Sequence, residues 1–462
     1  MTSALDSSVE SSRTKDTPQQ RAWYWYDWAN SAYVTTTLTV LMAPYLTVIA
    51  KKAACPTLPS DVACHTNLNV IGIPVDPGSL VFYVLTLSTI LSAIVLIFIG
   101  ALADRSPRPV RLFAGFAWAG AAAASAMFLV SGDSWILGVL LLVFANLCLG
   151  SSLVIYDSLL CRIAGPDDRD RVSSRGWAWG YLGGGLLLAL NLGLLTLDEQ
   201  IGISQGMAVR ISLLSAGLWW AGFTIIPVVG LRDLRGAAQS PSPEPARVIG
   251  GSLSQLASTF RELRSYPQTL LFLLAYLFFN DGIQTVITSS SVYGAEELKF
   301  SSSQLIEIIL LVQFVAFGGA LVFGRLASRF GAWRVVLNSL ALWTLVVTIA
   351  FFVPSGGFLI FAGLAVLIGI VLGGSQALSR SMYSQLIPRG REAEFFSLYQ
   401  AMERGTSWFG TLVFGLVHQF THSYRWAIIA LIVFFAVGGI LLSRVRMRDG
   451  ILAAGNEVPA VI

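Results

Sequence analysis

Residues 100–111 read GALADRSPRPVR, and residues 324–334 read GRLASRFGAWR. Each follows an apolar stretch long enough to cross a bilayer, and each precedes another. Gly100 matches Gly324 at an offset of 224 residues. LGSSLVIYDSLL (149–160) lies over LGGSQALSRSMY (372–383) at 223, and Asn30 in WANSAYVTT (28–36) lies over Asn280 in FNDGIQTV (279–286) at 250. The long loop 51–78 has no counterpart in the second half and accounts for the larger offset. The chain therefore reads as a duplicated unit of six helices.

Composition supports the membrane reading. Of 462 residues, 55% are hydrophobic and 12% charged, with a mean hydropathy of +0.69. A soluble domain carries roughly 25% charged residues. At ~20 apolar residues per crossing, twelve spans are expected: 24–50, 79–103, 110–131, 134–161, 174–197, 207–231, 268–293, 303–327, 333–354, 357–386, 396–420 and 424–444. The expected fold is all-α, two pseudosymmetric six-helix bundles in the bilayer. With the N-terminus inside, inner segments hold 24 of the 30 Lys and Arg residues, while the outer loops hold only Lys51, Lys52, Arg210, Lys299 and Arg425. That bias puts both termini in the cytoplasm, and the plasma (inner) membrane is the expected location. The net charge of +4 is spread over short loops and is no nucleic-acid footprint.

The spans divide the chain. Residues 1–22 are polar and expected to be a disordered cytoplasmic N-terminus, 23–231 the first bundle and 268–446 the second. Between them, 232–267 is a cytoplasmic linker with a proline-broken stretch, SPSPEP (240–245). It continues in SLSQLASTFRELRSY (252–266), where Leu253, Leu256, Phe260 and Leu263 recur at helical spacing, as in an amphipathic surface helix. Residues 447–462 form a cytoplasmic tail. No Walker loop, zincin motif or nucleophile elbow occurs, so neither an enzyme nor ATP-driven transport is indicated. The histidines (His65, His418, His422) have no metal-ligand spacing, and no cofactor or metal is implied. Cys55 and Cys64 share an outer loop and can pair in an oxidising compartment.

The Gly-x-Leu-Ala-(Asp)-Arg turn resembles the loop motif between helices 2 and 3 of the major facilitator superfamily, with its degenerate echo between helices 8 and 9. The resemblance implies a secondary transporter with a substrate site between two rocking halves. Gly100 and Gly324 then allow close helix approach, and Asp104 beside Arg105 can cap a helix N-terminus or pair with an arginine of the other half. Ser328 replaces the acid in the second copy. Helices 4 and 10 line the central path in that superfamily. Asp157 and Arg380, related by the 223 offset and opposite in charge, are thus expected either to meet each other or a shared partner, or each to sit at headgroup depth.

An ionisable side chain at membrane depth is a functional candidate. Asp281 lies mid-way along the seventh span among Asn280, Gln284, Thr285 and Thr288, with Gly282 allowing a local break. It suits proton coupling, a substrate ammonium, or a structural hydrogen bond. In the first span Asn30 is expected to be central, with Tyr33 near it; Asp27 reads as a cap or headgroup-level charge. Glu403 and Arg404 read as an interfacial anchor.

Within the superfamily, YDWANSAY (26–33), RGWAWGYLGGGLLL (175–188), NDGIQT (280–285), GGSQALSRSMYSQLIP (373–388) and EFFSLY (394–399) resemble the bacterial relatives of the vacuolar amino-acid effluxer implicated in autophagy. That resemblance singles out Asp27, Asn30, Tyr33, Asp281, Gly282, Gln376, Arg380 and Ser381. It implies a carrier of small polar solutes, amino acids or related compounds, working in the efflux direction, with protons as the candidate coupling ion; a monomer is expected. Asp281 would take an ammonium, and Gln376, Asn30 or Arg380 a carboxylate. The alternatives are an exporter of lipids or amphipathic compounds, and a membrane sensor or scaffold on a transporter fold.

Overall fold

The computed structural model describes residues 15–56, 66–70, 72–234, 263–405 and 407–462. Among them, eleven helices are long and apolar enough to cross a membrane. In the first half these are α1 (Pro18–Ala54), α2 (Leu80–Arg105), α3 (Pro109–Ala126), α4 (Trp135–Ile163), α5 (Arg169–Thr196) and α6 (Gln205–Gly230). In the second they are α7 (Pro267–Val292), α8 (Ser302–Phe330), α9 (Ala332–Phe352) and α10 (Phe358–Gln385). The expected span 396–420 is covered by two consecutive helices, α11 (Glu392–Gly405) and α12 (Ser407–Thr421). Tyr424–Ser443, the eleventh apolar crossing, is built from α13 (Tyr424–Ile429) and α14 (Ile432–Ser443), and α15 (Met447–Ala453) follows.

Local chemistry sets the helix starts. Thr17 and Gln20 form a capping box before Pro18, so α1 begins inside the stretch expected to be disordered. Ser301 and Gln304 do the same for α8. Pro109 and Pro267 open α3 and α7, where a missing N–H costs nothing. Two segments wind more widely. Val34–Leu41 within α1 and Tyr293–Glu297 after α7 are π-helical. Gly282 makes no break: α7 runs through it, packed against Phe434 and Phe435. One departure from an all-α chain is a small antiparallel hairpin, β1 (Leu68–Val70) with β2 (Ile73–Val75), between α1 and α2. Cys55 is disulfide-bonded. Cys64 and the expected amphipathic stretch up to residue 262 lie outside the described residues.

Each half packs its own apolar core, and large apolar side chains such as Leu140, Leu190 and Val433 are exposed on outer faces, where lipid covers them. The halves exchange single residues: Ile97 of α2 joins the second core and Ala393 of α11 the first. The repeated glycines make that possible. A Cβ on Gly100 would meet the Ala393 carbonyl oxygen at 2.6 Å, and one on Gly324 would meet the Ser174 Cβ at 2.8 Å. Each glycine thus presses the second helix of its own half against the fifth of the other. Contacts between the halves gather at the end of the bundle that carries both chain termini. There Asn456, after α15, donates to the carbonyls of Gln385 and Ile387 (2.9 and 2.7 Å), and the Ala460 N–H reaches Asp167 (2.7 Å) in the first half. The tail is therefore folded onto both halves.

Close packing of α8 and α10 depends on Gly373, whose Cβ would stand 2.3 Å from the Ala316 carbonyl oxygen. Gly373→Ala is expected to cost about 1–3 kcal/mol by overpacking, seen as a lower melting temperature of the purified protein. Gly363→Ala on the same helix, where a Cβ meets nothing within 4 Å, is expected to leave it unchanged.

Candidate functional site

Arg380 enters from α10, where Gly373, Gly374, Ser375 and Ala377 let neighbouring backbones close in. Its guanidinium has five N–H donors, and five hydrogen bonds are formed. Nη1 and Nη2 donate to the two oxygens of Asp27 (3.4 and 3.0 Å), and Nη1 also to Asp157 Oδ1 (3.2 Å). Nε and Nη2 donate to the Ser173 hydroxyl and carbonyl (3.0 and 3.1 Å). Every one of these partners belongs to the first half. So do the rings around the cation: Arg380 Cζ is 4.7 Å from the Trp23 ring, 5.4 Å from Trp177 and 5.7 Å from Tyr156. Arg380, Asp27 and Asp157 are 3%, 6% and 1% exposed, so the cluster survives only because its charges are paired and bonded throughout.

The network continues. Asp157 Oδ2 accepts from Gln400 Nε2 (2.8 Å), and Gln400 Oε1 accepts from Arg404 (3.3 Å). Glycine makes room for it: a Cβ at Gly176 would stand 2.5 Å from Asp27 Oδ2, and Gly180 and Gly184 continue the same α5 face against Ser31 and Thr35 of α1. Toward the chain termini, Ser381 donates to Asp170, Arg169 to the Ser384 carbonyl (2.7 Å) and Gln385 to the Pro166 carbonyl (2.8 Å). Asp104 Oδ1 and Oδ2 accept the backbone N–H groups of Ala393 and Glu394 (2.9 and 2.8 Å), capping α11 of the other half. Of the two expected uses of Asp104, the structure selects the cap. Its neighbour Arg105 is exposed.

On the other side of the cluster lies a cavity of about 280 Å³ between the halves. Asp27, Asp157, Arg380, Gln400, Glu403 and Arg404 line its floor, Asn30, Trp177, Tyr181, Gln284 and Gln376 its lower wall, and Val34, Ile287, Ile308, Val312 and Phe361 its apolar upper wall. The site is a membrane-embedded chamber, shut at the terminus end by buried charge.

The sequence profile described as vacuole effluxer Atg22 like matches residues 15–455. The chain belongs to the Atg22-like family. It is 29% identical over 429 residues to the MFS-type transporter YxiO of Bacillus subtilis, covering 92% of this chain and 94% of that one. It is 26% identical over 483 residues to autophagy-related protein 22 of Yarrowia lipolytica, covering 86% and 80% of the two chains. Among solved structures, an outward-facing bacterial homologue of the iron transporter ferroportin superposes with a TM-score of 0.66 at 14% identity, over 93% of this chain and 99% of that one. The fold is thus that of the major facilitator superfamily, and this Atg22-like protein is an integral membrane transporter, not an enzyme.

The structure sorts the residues singled out by sequence. Asn30, Gln284, Gln376, Asp157 and Arg380 line the cavity. Asn30 donates to the Tyr26 carbonyl of its own helix (2.6 Å). Tyr33 does not line it: fully buried, it stacks on Trp220 at 5.1 Å inside the first half. Asn280 stands behind the wall and accepts from Gln376 Nε2 (3.1 Å). Asp281 is also absent from the lining; its Oδ2 accepts the Gly410 N–H (2.8 Å) near the start of α12, and its Oδ1 is buried without a partner. Reasoning from sequence underrated three groups. Asp27 is not an exposed charge but is buried against Arg380, and Glu403 and Arg404 line the chamber. Their i, i+3 and i+4 spacing from Gln400 was the available signal.

Removing the cation alone should strand two buried carboxylates. Arg380→Met is expected to cost about 3–5 kcal/mol of stability. Adding Asp27→Asn and Asp157→Asn is expected to recover most of the melting temperature but not transport.

Proposed function

We propose that this Atg22-like transporter is a secondary carrier that exports small zwitterionic solutes, amino acids or close relatives, by alternating access across the plasma membrane. Loop charge supports a cytoplasmic position for both termini, which makes the closed end the cytoplasmic one. Residues 23–231 and 268–446 then act as the rocking halves, joined by 232–267, with 447–462 as the tail. A monomer suffices, since one chain lines the whole chamber.

The observation that carries this reading is the charge at the cavity floor. Three acids, Asp27, Asp157 and Glu403, face two bases, Arg380 and Arg404. With all five ionised one negative charge is left over, and an ammonium or a proton balances it. A chamber of about 280 Å³ suits a solute of amino-acid size, below the usual range of drug-sized pockets at roughly 300–1,000 Å³. The apolar upper wall favours a second reading, export of amphipathic compounds, whose tails it would cover.

Asp281 stays in this scheme as a coupling group rather than a ligand. It is 1% exposed, has one unpartnered oxygen and holds the start of α12, which follows the helix bearing Glu403 and Arg404. Proton uptake there would weaken its bond to Gly410 and loosen α12 against α7.

Counterflow in proteoliposomes with a labelled amino-acid mixture tests both parts. Saturable exchange of particular amino acids is expected. Asp281→Asn is expected to keep exchange and to lose the component driven by an imposed pH gradient. A correctly inserted preparation that exchanges no amino acid sinks the proposal in favour of amphipathic cargo. Equal loss of exchange and gradient-driven flux in Asp281→Asn removes the coupling role.

A further inference from the structure

Away from the chain termini, α3 and α6 pack tightly. A Cβ on Gly120 would stand 2.4 Å from the Trp220 ring, and one on Gly217 would stand 2.3 Å from Ser125 Oγ. Toward the end that carries the termini, α6 is pressed against α1 instead, where a Cβ on Gly230 would stand 2.4 Å from the Ala22 Cβ. There a groove of about 1030 Å³ opens between α3 and α6. Gly115 lies in it, and a Cβ added to Gly115 would meet nothing within 4 Å.

The groove is charged at its rim and apolar below. Arg108 and Arg111 at the start of α3 and Arg232 just past α6 line it, against one carboxylate, Asp233. Asp233 offsets little of that charge. It stands 3.7 Å from Arg232, the two side chains are 87% and 72% exposed, and exposed pairs are weak. Arg108 and Arg111 are exposed too, and among the described residues neither forms an ion pair. Below the rim the lining is Val110, Ala114 and Trp118 of α3 and Val228 of α6. Trp118 lies about 10 Å along α3 from Arg111, at 1.5 Å per residue. Its N–H donates to the Ala221 carbonyl (3.1 Å), and the residue stays half-exposed.

A basic rim above an apolar trough on the outside of the first bundle fits a molecule with an anionic head and an acyl tail. We infer that the groove between α3 and α6 binds one anionic phospholipid, its phosphate among Arg108, Arg111 and Arg232 and an acyl chain along Gly115 and Trp118. The planar guanidinium suits phosphate, to which it donates two parallel hydrogen bonds, and basic pockets between spanning helices take anionic headgroups. The leaflet is the cytoplasmic one, following the placement of the termini proposed above. A lipid seated there joins the start of α3 to the end of α6 and adds to the stability of the first bundle.

The experiment follows the melting temperature of the full chain, purified in micelles, during titration with phosphatidylglycerol, with phosphatidylcholine of the same chains, or with inorganic phosphate. A saturable rise is expected with phosphatidylglycerol alone. Each arginine is worth about fivefold in affinity at an anionic surface, so Arg108→Gln, Arg111→Gln and Arg232→Gln together are expected to move the midpoint by roughly a hundredfold. Being at exposed positions, they are expected to leave the melting temperature without lipid unchanged. The matching triple Arg325→Gln, Arg329→Gln and Arg334→Gln removes three exposed arginines around the equivalent loop of the second half and is expected to keep the midpoint. Gly115→Leu, which fills the trough and keeps every charge, is expected to lose the rise. An equal response to phosphatidylcholine or to phosphate overturns the inference. So do equal shifts in the two triples, or a natural midpoint in either the first triple or Gly115→Leu.

Discussion

The fold is organised around one buried arginine. Taking a guanidinium and two carboxylates out of water is costly, and the attraction between them offsets that cost only when nearly every donor and acceptor is used. Arg380 meets the condition by drawing on α1, α4 and α5 at once. The requirement spreads outward. Gly176 must be glycine, because a Cβ would stand where Asp27 and Arg380 meet. Trp23, Trp177 and Tyr156 put aromatic rings beside this buried cation. Asp157 must find Gln400 for its second oxygen, which fixes the rotation of α11 and so brings Glu403 and Arg404 to the chamber floor.

Duplication explains the frame in which this cluster sits. Gly100 and Gly324 occupy the same place in the two halves, and each faces the fifth helix of the other half. The symmetry stops at the charges. Asp104 caps α11, whereas Ser328 bonds the Arg325 carbonyl of its own helix. Asp157 and Arg380, equivalent in the repeat, have become the acceptor and the donor of one charged hydrogen bond. A symmetric ancestor with like charges at both positions would have met repulsion there; opposite charges turn the pseudosymmetry axis into a bond.

Much of this was legible in the sequence. The spans, the repeat and the Asp157–Arg380 relation follow from apolar run length, motif spacing and charge sign, all of which are local or periodic. The chamber-facing positions expected of Tyr33 and of Asp281 as an ammonium ligand, and the exposed one expected of Asp27, differ from the structure for one shared reason. Sequence tells the depth of a residue in a helix, but the direction it faces depends on how that helix is rotated against its neighbours. Asp281 has the right depth for the chamber and faces α12 instead. Tyr33 is one residue before the π-helical stretch Val34–Leu41, where the extra residues per turn shift the helix face. Asp27 looked exposed because it lies near the start of α1, yet Trp23 and Tyr24 before it are buried too, so α1 is packed within the protein from its first turns.

The distribution of bonds around Arg380 also constrains how the halves can move. All of its hydrogen-bond partners lie in the first half, while Arg380 itself lies in the second. Parting the halves at the terminus end therefore breaks these contacts together rather than one at a time. The Asp104 cap on α11 and the tail contact at Asp167 cross the same seam. Such an end is either shut with its charges paired or open with them hydrated; intermediate separations leave the ions neither paired nor solvated. The chamber lies directly against this switch. On the proposed function, a solute that changes the balance of charge at the floor acts on Asp27 and Asp157, the groups that hold the end closed, so occupancy and closure share the same side chains and need no longer path between them.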